Sequence, residues 1–377
     1  MVSDLALFKK NDIYKLAFIL FLGISYGLIT YITNMKLCGD TIQIFRFGKY
    51  LNYTILNFSE SFYITLNILL NKIFLSNNLI NHKTYFIYTS YYFYISNIIF
   101  YIFLRLQNFT RSVSLSLICW GGISFSVFIG TCQYTRQYIC TLLSFLVIYS
   151  ISKNRVKTKE ILITLIIILI MVFTHAGFTF SLIFGYLAYL FIKKFINLLI
   201  TYRLNLSKSI IYFLIVTVSL GLFYQLAARY LAPIFQYISY GYIDIGYQNT
   251  DMKVGSLSFL LYLITLFSIA RWSLLLSKAS QVYSEKNHNY KCIYNFIGIS
   301  IIIFFTSQFI VPYIYRALVI KSIFAFLFLG LTFQYEKENL YLLNQKTRAT
   351  LYQYKFLSLF LCIILFASEW TNIFEYF

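Results

Sequence analysis

Residues 161–192 read ILITLIIILIMVFTHAGFTFSLIFGYLAYLFI, and only His175 in that run carries a group that ionises near neutral pH. As one straight helix it would measure about 48 Å at 1.5 Å per residue, against roughly 30 Å of bilayer hydrocarbon. The run therefore has to break. Thr174-His175-Ala176-Gly177 is the place, because a polar ring and two small residues interrupt the apolar sequence there. Two membrane helices meeting at a tip is the reading from which the fold follows.

Similar apolar runs recur on either side. We place spans near 14–32, 84–104, 112–130, 138–152, 161–174, 177–192, 209–228, 257–276, 293–311, 317–333 and 354–367. The chain has 377 residues, 60% of them hydrophobic and 11% charged, which is too little charge to cover a soluble surface of that size. The expected fold class is an all-α polytopic integral membrane protein with about eleven transmembrane helices, organised as one multi-span domain over 1–377. Two outer loops stand out, 33–83 and 229–256. The first apolar run lacks a small-residue cleavage site after it and reads as an anchor.

Segment 61–75 is different. Ser61, Thr65, Asn67, Asn71 and Lys72 fall on about half of a helical wheel, with Phe, Tyr, Ile and Leu on the other half. That pattern predicts an interfacial or re-entrant helix. Charge placement agrees. With 61–75 in the interface and the N-terminus inside, the basic loops around Lys15, Arg111, Lys153, Arg155, Lys157, Lys159, Lys193, Lys194, Lys337 and Lys355 all face the cytosol, as cytoplasmic loops of membrane proteins prefer. If 61–75 spanned, loop 153–160 would face out, against that preference. The same loops account for the net charge of +19, so nucleic acid is not an expected partner. The six cysteines form no Cys-x-x-Cys pair, and buried thiols are the ordinary reading. A Cys38–Cys132 disulfide requires both loops to face an oxidising side.

No phosphate loop, dinucleotide fingerprint, His-Glu-x-x-His or Asp-x-Asp occurs, and there are three histidines. A metal site is therefore not expected. The polar landmarks are few. Arg136 lies between two apolar spans, within Tyr134-Thr135-Arg136-Gln137. It reads either as a bidentate grip on phosphate oxygens or as an arginine snorkelling to headgroups. His175 reads as a base or hydrogen-bond donor near neutral pH, or simply as the polar end of two spans. Arg316 opens another span on the outer side. Asp40 and Glu60 are outer carboxylates, able to accept a proton or to be plain solvated charge. Loop 229–256 carries Arg229, Tyr242, Asp244 and Asp251, a sugar-binding type of surface in a chain that is tyrosine-rich throughout.

The order of these landmarks is Gly39-Asp40, then Glu60 before an amphipathic helix, Arg136-Gln137 opening a span, a basic loop, His175 at a span end, and a late Arg316. It resembles that of the EpsG-like and Wzy-type polymerases of bacterial O antigen, capsule and exopolysaccharide. The resemblance covers most of the chain as an ordered pattern and is specific only from Arg136 through His175. It implies a glycosyltransferase-C-like membrane fold in the bacterial inner membrane, with the active site outside. The implied substrate is an undecaprenyl-diphosphate-linked oligosaccharide, and no cofactor or nucleotide sugar is implied. A chain-length regulator is the protein partner to consider. Arg136 and Arg316, with Arg229 as helper, would hold the diphosphate. His175, Asp40 and Glu60, in that order, are candidates for base or orienter. Gln137, Tyr134, Asp244, Asp251 and Tyr242 would contact sugar. Two alternatives stay open: a membrane glycosyltransferase using a polyprenyl-phosphate sugar, and a lipid-linked oligosaccharide flippase or other transporter. An acyltransferase would be expected to show a His-Asp pair, and none is visible.

Overall fold

The computed structural model describes residues 10–33, 61–74, 82–153, 156–201, 211, 215, 256–279, 289–309, 318, 320–339 and 345–371. Among them the regular structure is entirely helical. The elements are α1 (Lys10–Thr33), α2 (Ser61–Phe74), α3 (His82–Leu106), α4 (Arg111–Ile123), α5 (Phe125–Cys132), α6 (Thr135–Ile151), α7 (Thr158–Thr201), α8 (Ser256–Ala279), α9 (Asn289–Phe309), α10 (Ser322–Asn339) and α11 (Gln345–Thr371). Among the described residues, five helical stretches are long and apolar enough to cross a membrane: Lys10–Thr33, Lys83–Leu106, Thr158–Leu190, Leu257–Ser277 and Arg348–Trp370. The bent pair α4 and α5 makes a sixth if counted as one span.

The surface of these helices is as greasy as their core. On α1, Leu20, Ile24, Leu28 and Ile32 repeat every fourth residue and all are exposed. Phe356, Phe360 and Ile363 on α11, and Leu162, Leu165 and Leu169 on α7, recur at helical spacings of three and four and are exposed too. Apolar stripes of this length on an outer face belong against lipid. The opposite face of α1 uses small residues for close approach. A Cβ on Gly23 would stand 2.4 Å from the Tyr94 ring, and one on Gly27 would stand 2.3 Å from Ser90 Oγ. This is the small-xxx-small packing expected between helices that apolar burial cannot drive together in lipid. Ser90 Oγ donates to the Gly23 carbonyl at 3.2 Å across the same seam.

Helix directions follow from cross-bundle contacts. At one end, Arg111 and Lys15 approach Asp12, Lys153 bridges Glu160 at 2.8 Å, and Lys355 bridges Glu336 at 2.9 Å. The basic residues expected inside thus gather at a common end wherever they are described. At the other end, Tyr26 OH donates to the Gly122 carbonyl at 2.6 Å, and Tyr63 OH pairs with Thr135 Oγ1 at 2.9 Å.

The structure differs from the expected spans at 112–130. α4 and α5 meet at an angle of 83°. Ser124 leaves the helical region (φ −62°, ψ 133°) and starts α5, all eight residues of which are buried. α4 is only about 20 Å long at 1.5 Å per residue, and α5 continues from its end at a steep angle, buried within the bundle.

The break expected at 174–177 is present. His175 has extended backbone (φ −159°, ψ 88°) inside α7. Thr164 Oγ1 donates to Ser150 Oγ at 2.8 Å. Asn295 Nδ2 donates to Ser152 Oγ at 2.7 Å, and its Oδ1 accepts from Tyr189 OH at 3.0 Å. Both arms of α7 therefore reach the C-terminal end of α6. In one straight helix Thr164 and Tyr189 would lie about 37 Å apart. The chain folds back on itself at His175.

α2 is about 21 Å long, too short to span. Its division into faces differs from the one expected. Tyr63, Ile64, Leu66, Asn67 and Leu70 are buried, whereas Thr65, Leu69, Lys72 and Ile73 are exposed. Asn67 turns inward because its side-chain carbonyl accepts from Tyr92 OH. Cys292 and Cys362 are buried free thiols and Cys119 is a half-buried one. Cys38 lies outside the described residues, and with it the Cys38–Cys132 pairing.

Candidate functional site

Arg136 is the second residue of α6, which starts at Thr135 with only two residues between it and the end of α5 at Cys132. Its guanidinium carbon stands 5.6 Å from the centroid of the Tyr63 ring, a cation–π distance. Tyr63 is fully buried and is held by Thr135 Oγ1, which also accepts from Tyr88 OH at 3.3 Å. Tyr91 OH donates to the Leu66 carbonyl at 2.9 Å. The rings of Tyr63, Tyr88 and Tyr91 pack around that of Tyr92, tilted or edge-on, with centroids 4.8–5.9 Å from it. The aromatic cluster thus docks α2 onto α3 and holds it beside the arginine. Tyr134 is half-buried just before α6, and its carbonyl accepts from Tyr138 N at 2.9 Å. Gln137 is buried, and its Oε1 has no hydrogen-bond partner among the described residues. Asn67 Nδ2 is likewise buried without one. An orphaned buried acceptor and donor at the same end of the bundle are the kind of groups a polar ligand would satisfy.

His175 lies at the same depth. Cys140 Sγ donates to the Met171 carbonyl at 3.6 Å, and α6 and the first arm of α7 run antiparallel. One turn back along α6 from Cys140 is Arg136; one turn forward along α7 from Met171 is His175. The imidazole is buried and caps the second arm: Nδ1 accepts from Phe178 N at 3.4 Å, and the His175 carbonyl accepts from Thr179 Oγ1 at 3.1 Å. A ring accepting at Nδ1 carries its neutral-form proton on Nε2. In this geometry His175 offers an N–H donor in preference to a free base lone pair.

Of the expected site residues, Arg136, Gln137, Tyr134 and His175 come together at one end of the bundle. Asp40, Glu60, Arg229, Tyr242, Asp244, Asp251 and Arg316 lie outside the described residues. Among the described residues no group of three or more His, Cys, Asp or Glu side chains is placed to hold a metal ion.

Sequence reasoning passed over Tyr63, Tyr88 and Thr135, which had no signal among so many aromatics. It also passed over Lys321 and Glu369, both buried. Lys321 falls inside the expected span 317–333, and the rule that ionisable residues within spans mark function would have found it.

No family model, curated protein or solved structure matches the chain.

Proposed function

We propose that the protein polymerises undecaprenyl-diphosphate-linked oligosaccharide on the outer face of the inner membrane. In this reading the chain crosses eleven times, with the N-terminus inside and the C-terminus outside. The growing glycan moves from its lipid diphosphate to the terminal sugar of the next lipid-linked unit. The bond between the anomeric carbon and the diphosphate oxygen breaks, one to an acceptor hydroxyl oxygen forms, and that hydroxyl loses its proton.

The observation that carries the reading is the meeting of Arg136 and His175 at one depth, beside a short docked helix, at the end of the bundle opposite the basic loops. The leaving diphosphate gains negative charge as the bond breaks, so a guanidinium at headgroup depth stabilises the transition state more than the ground state. Tyr63 fixes that guanidinium before substrate arrives. His175 Nε2–H suits a donor to a diphosphate or sugar oxygen, which leaves the outer carboxylates Asp40 and Glu60 as candidates for the proton acceptor. Arg316 and Arg229 would add charge to the diphosphate site. Gln137, Tyr134, Tyr242, Asp244 and Asp251 would hold sugar.

One observation favours a second reading, a flippase or other transporter. The helix broken at Ser124 beside buried ionisable residues is a feature of transporter cores. A deletion strain separates the two. Loss of a polymerase leaves surface glycan bearing a single repeat unit, whereas loss of a flippase leaves none. In cells expressing Arg136→Ala, the single-unit pattern is expected with protein still inserted; normal glycan length would overturn the site assignment.

A further inference from the structure

The break between α4 and α5 holds a carboxylate where a helix would ordinarily take a capping group or an anion. Glu369, near the end of α11, accepts from Ser322 Oγ at 2.6 Å. It also accepts from Ser126 Oγ at 3.3 and 3.4 Å. Ser126 is the second residue of α5, where a helix start leaves its N–H donors without an internal partner. Ser124, the residue before α5, makes no side-chain cap. Its Oγ lies 2.5 Å from Ser322 Oγ, which is also 2.5 Å from Ser126 Oγ. A glutamate from the far end of the chain stands at the helix start instead.

Lys321 completes the arrangement. It is 7% exposed and electrostatically coupled to Glu369, yet no hydrogen bond to its ammonium is found among the described residues. Two serine hydroxyls and a helix N-terminus converge on the Glu369 carboxyl group, and the buried Lys321, next in sequence to Ser322, is electrostatically coupled to it. These are the donors that bind phosphate at helix starts, and broken membrane helices point their N-termini at anionic substrate groups in the same way. A buried structural ion pair alone would not need the helix break or the serine triad.

We infer that the α5 N-terminus, Ser126, Lys321 and Ser322 form an anion cradle for a phosphate or diphosphate group, and that Glu369 fills it in the closed form shown. The ligand enters as the Glu369 side chain leaves. Choosing a lipid diphosphate as the natural ligand rests on the polymerase reading; the cradle itself rests on the geometry above.

The test uses purified full-length protein in detergent. The probes are farnesyl diphosphate, inorganic pyrophosphate and, as a control without phosphate, farnesol. Glu369→Gln removes the competing charge and is expected to bind farnesyl diphosphate roughly tenfold more tightly than wild type, and Lys321→Met roughly tenfold more weakly. Pyrophosphate binding with the same dependence supports the cradle and assigns it a free anion; dependence seen only with farnesyl diphosphate supports it and assigns a lipid headgroup. Equal affinity in all three proteins overturns the proposal, as does farnesol binding that responds to the two substitutions as the diphosphate does. Should either variant not fold, Ser126→Ala takes its place, with severalfold weaker binding expected and unchanged binding fatal. Glycan length in cells is read separately, so loss of the polymerase reading leaves the binding result standing, and the reverse.

Discussion

The two ends of the helical bundle handle charge in opposite ways. At the basic end, cations meet carboxylates: Lys153 with Glu160, Lys355 with Glu336, Arg111 and Lys15 with Asp12. Lys355 also lies over the rings of Trp272 and Phe333 at 5.7 and 5.1 Å. Such neutralised clusters tie helix ends to one another at that end of the bundle. At the other end Arg136 lies against an aromatic ring, Gln137 and Asn67 keep buried polar atoms unsatisfied, and His175 interrupts a helix. The contrast teaches that paired charges and unsatisfied polar groups are kept at opposite ends of the bundle.

That contrast can be broken or sharpened by substitution. The largest effect is expected at Arg136. Arg136→Ala should lower polymerised glycan by about 100-fold, the scale of losing one charge-stabilising donor. Arg136→Lys should recover only part of it, because an ammonium lacks the planar fork. Glycan ladders from cells with matched protein levels read both. At His175, replacement by Ala or by Asn should each cost about tenfold in polymerisation through loss of the Nε2–H donor. Only Ala should also lower thermal stability, by about 1 kcal/mol, since Asn still caps a helix. Equal stability of the two variants would remove the capping role.

Smaller effects test the docking of α2. Tyr63→Phe deletes the hydroxyl that meets Thr135 and should cost about 1 kcal/mol, seen as faster proteolysis within 61–74. The smallest change is expected at the basic end. Glu160→Gln takes the charge from a largely buried pair but keeps a hydrogen-bonding side chain, and should cost about 1 kcal/mol with no change in glycan length. A shortened ladder in that variant would blur the distinction between the two ends.

The sequence showed the break at His175 plainly, because a histidine, an alanine and a glycine interrupt an otherwise unbroken apolar run. The break at Ser124 was hidden. Gly121-Gly122-Ile123-Ser124 contains no proline and no charge, and its bend is stabilised by distant partners: Tyr26 on α1, Ser322 on α10 and Glu369 on α11. Lys321 lay inside an expected span and could have been singled out, whereas Glu369 lay just beyond one; only folding brings them together. Asn67 was assigned to the wet face of α2 by its polarity. Its actual side was decided by Tyr92, a partner that no helical wheel of residues 61–75 contains. Arg136 and His175 were legible individually, and their common depth came from the antiparallel run of α6 and α7.

The central claim is that Arg136 lies on the side of the membrane away from the cytosol. Single cysteines at Arg136→Cys and Thr65→Cys, with Lys159→Cys as the counterpart, can be exposed in whole cells to a membrane-impermeant maleimide. The account predicts labelling at 136 and 65 in intact cells and at 159 only after the membrane is opened. Labelling of 159 in intact cells, with 136 and 65 reached only after opening, would contradict it.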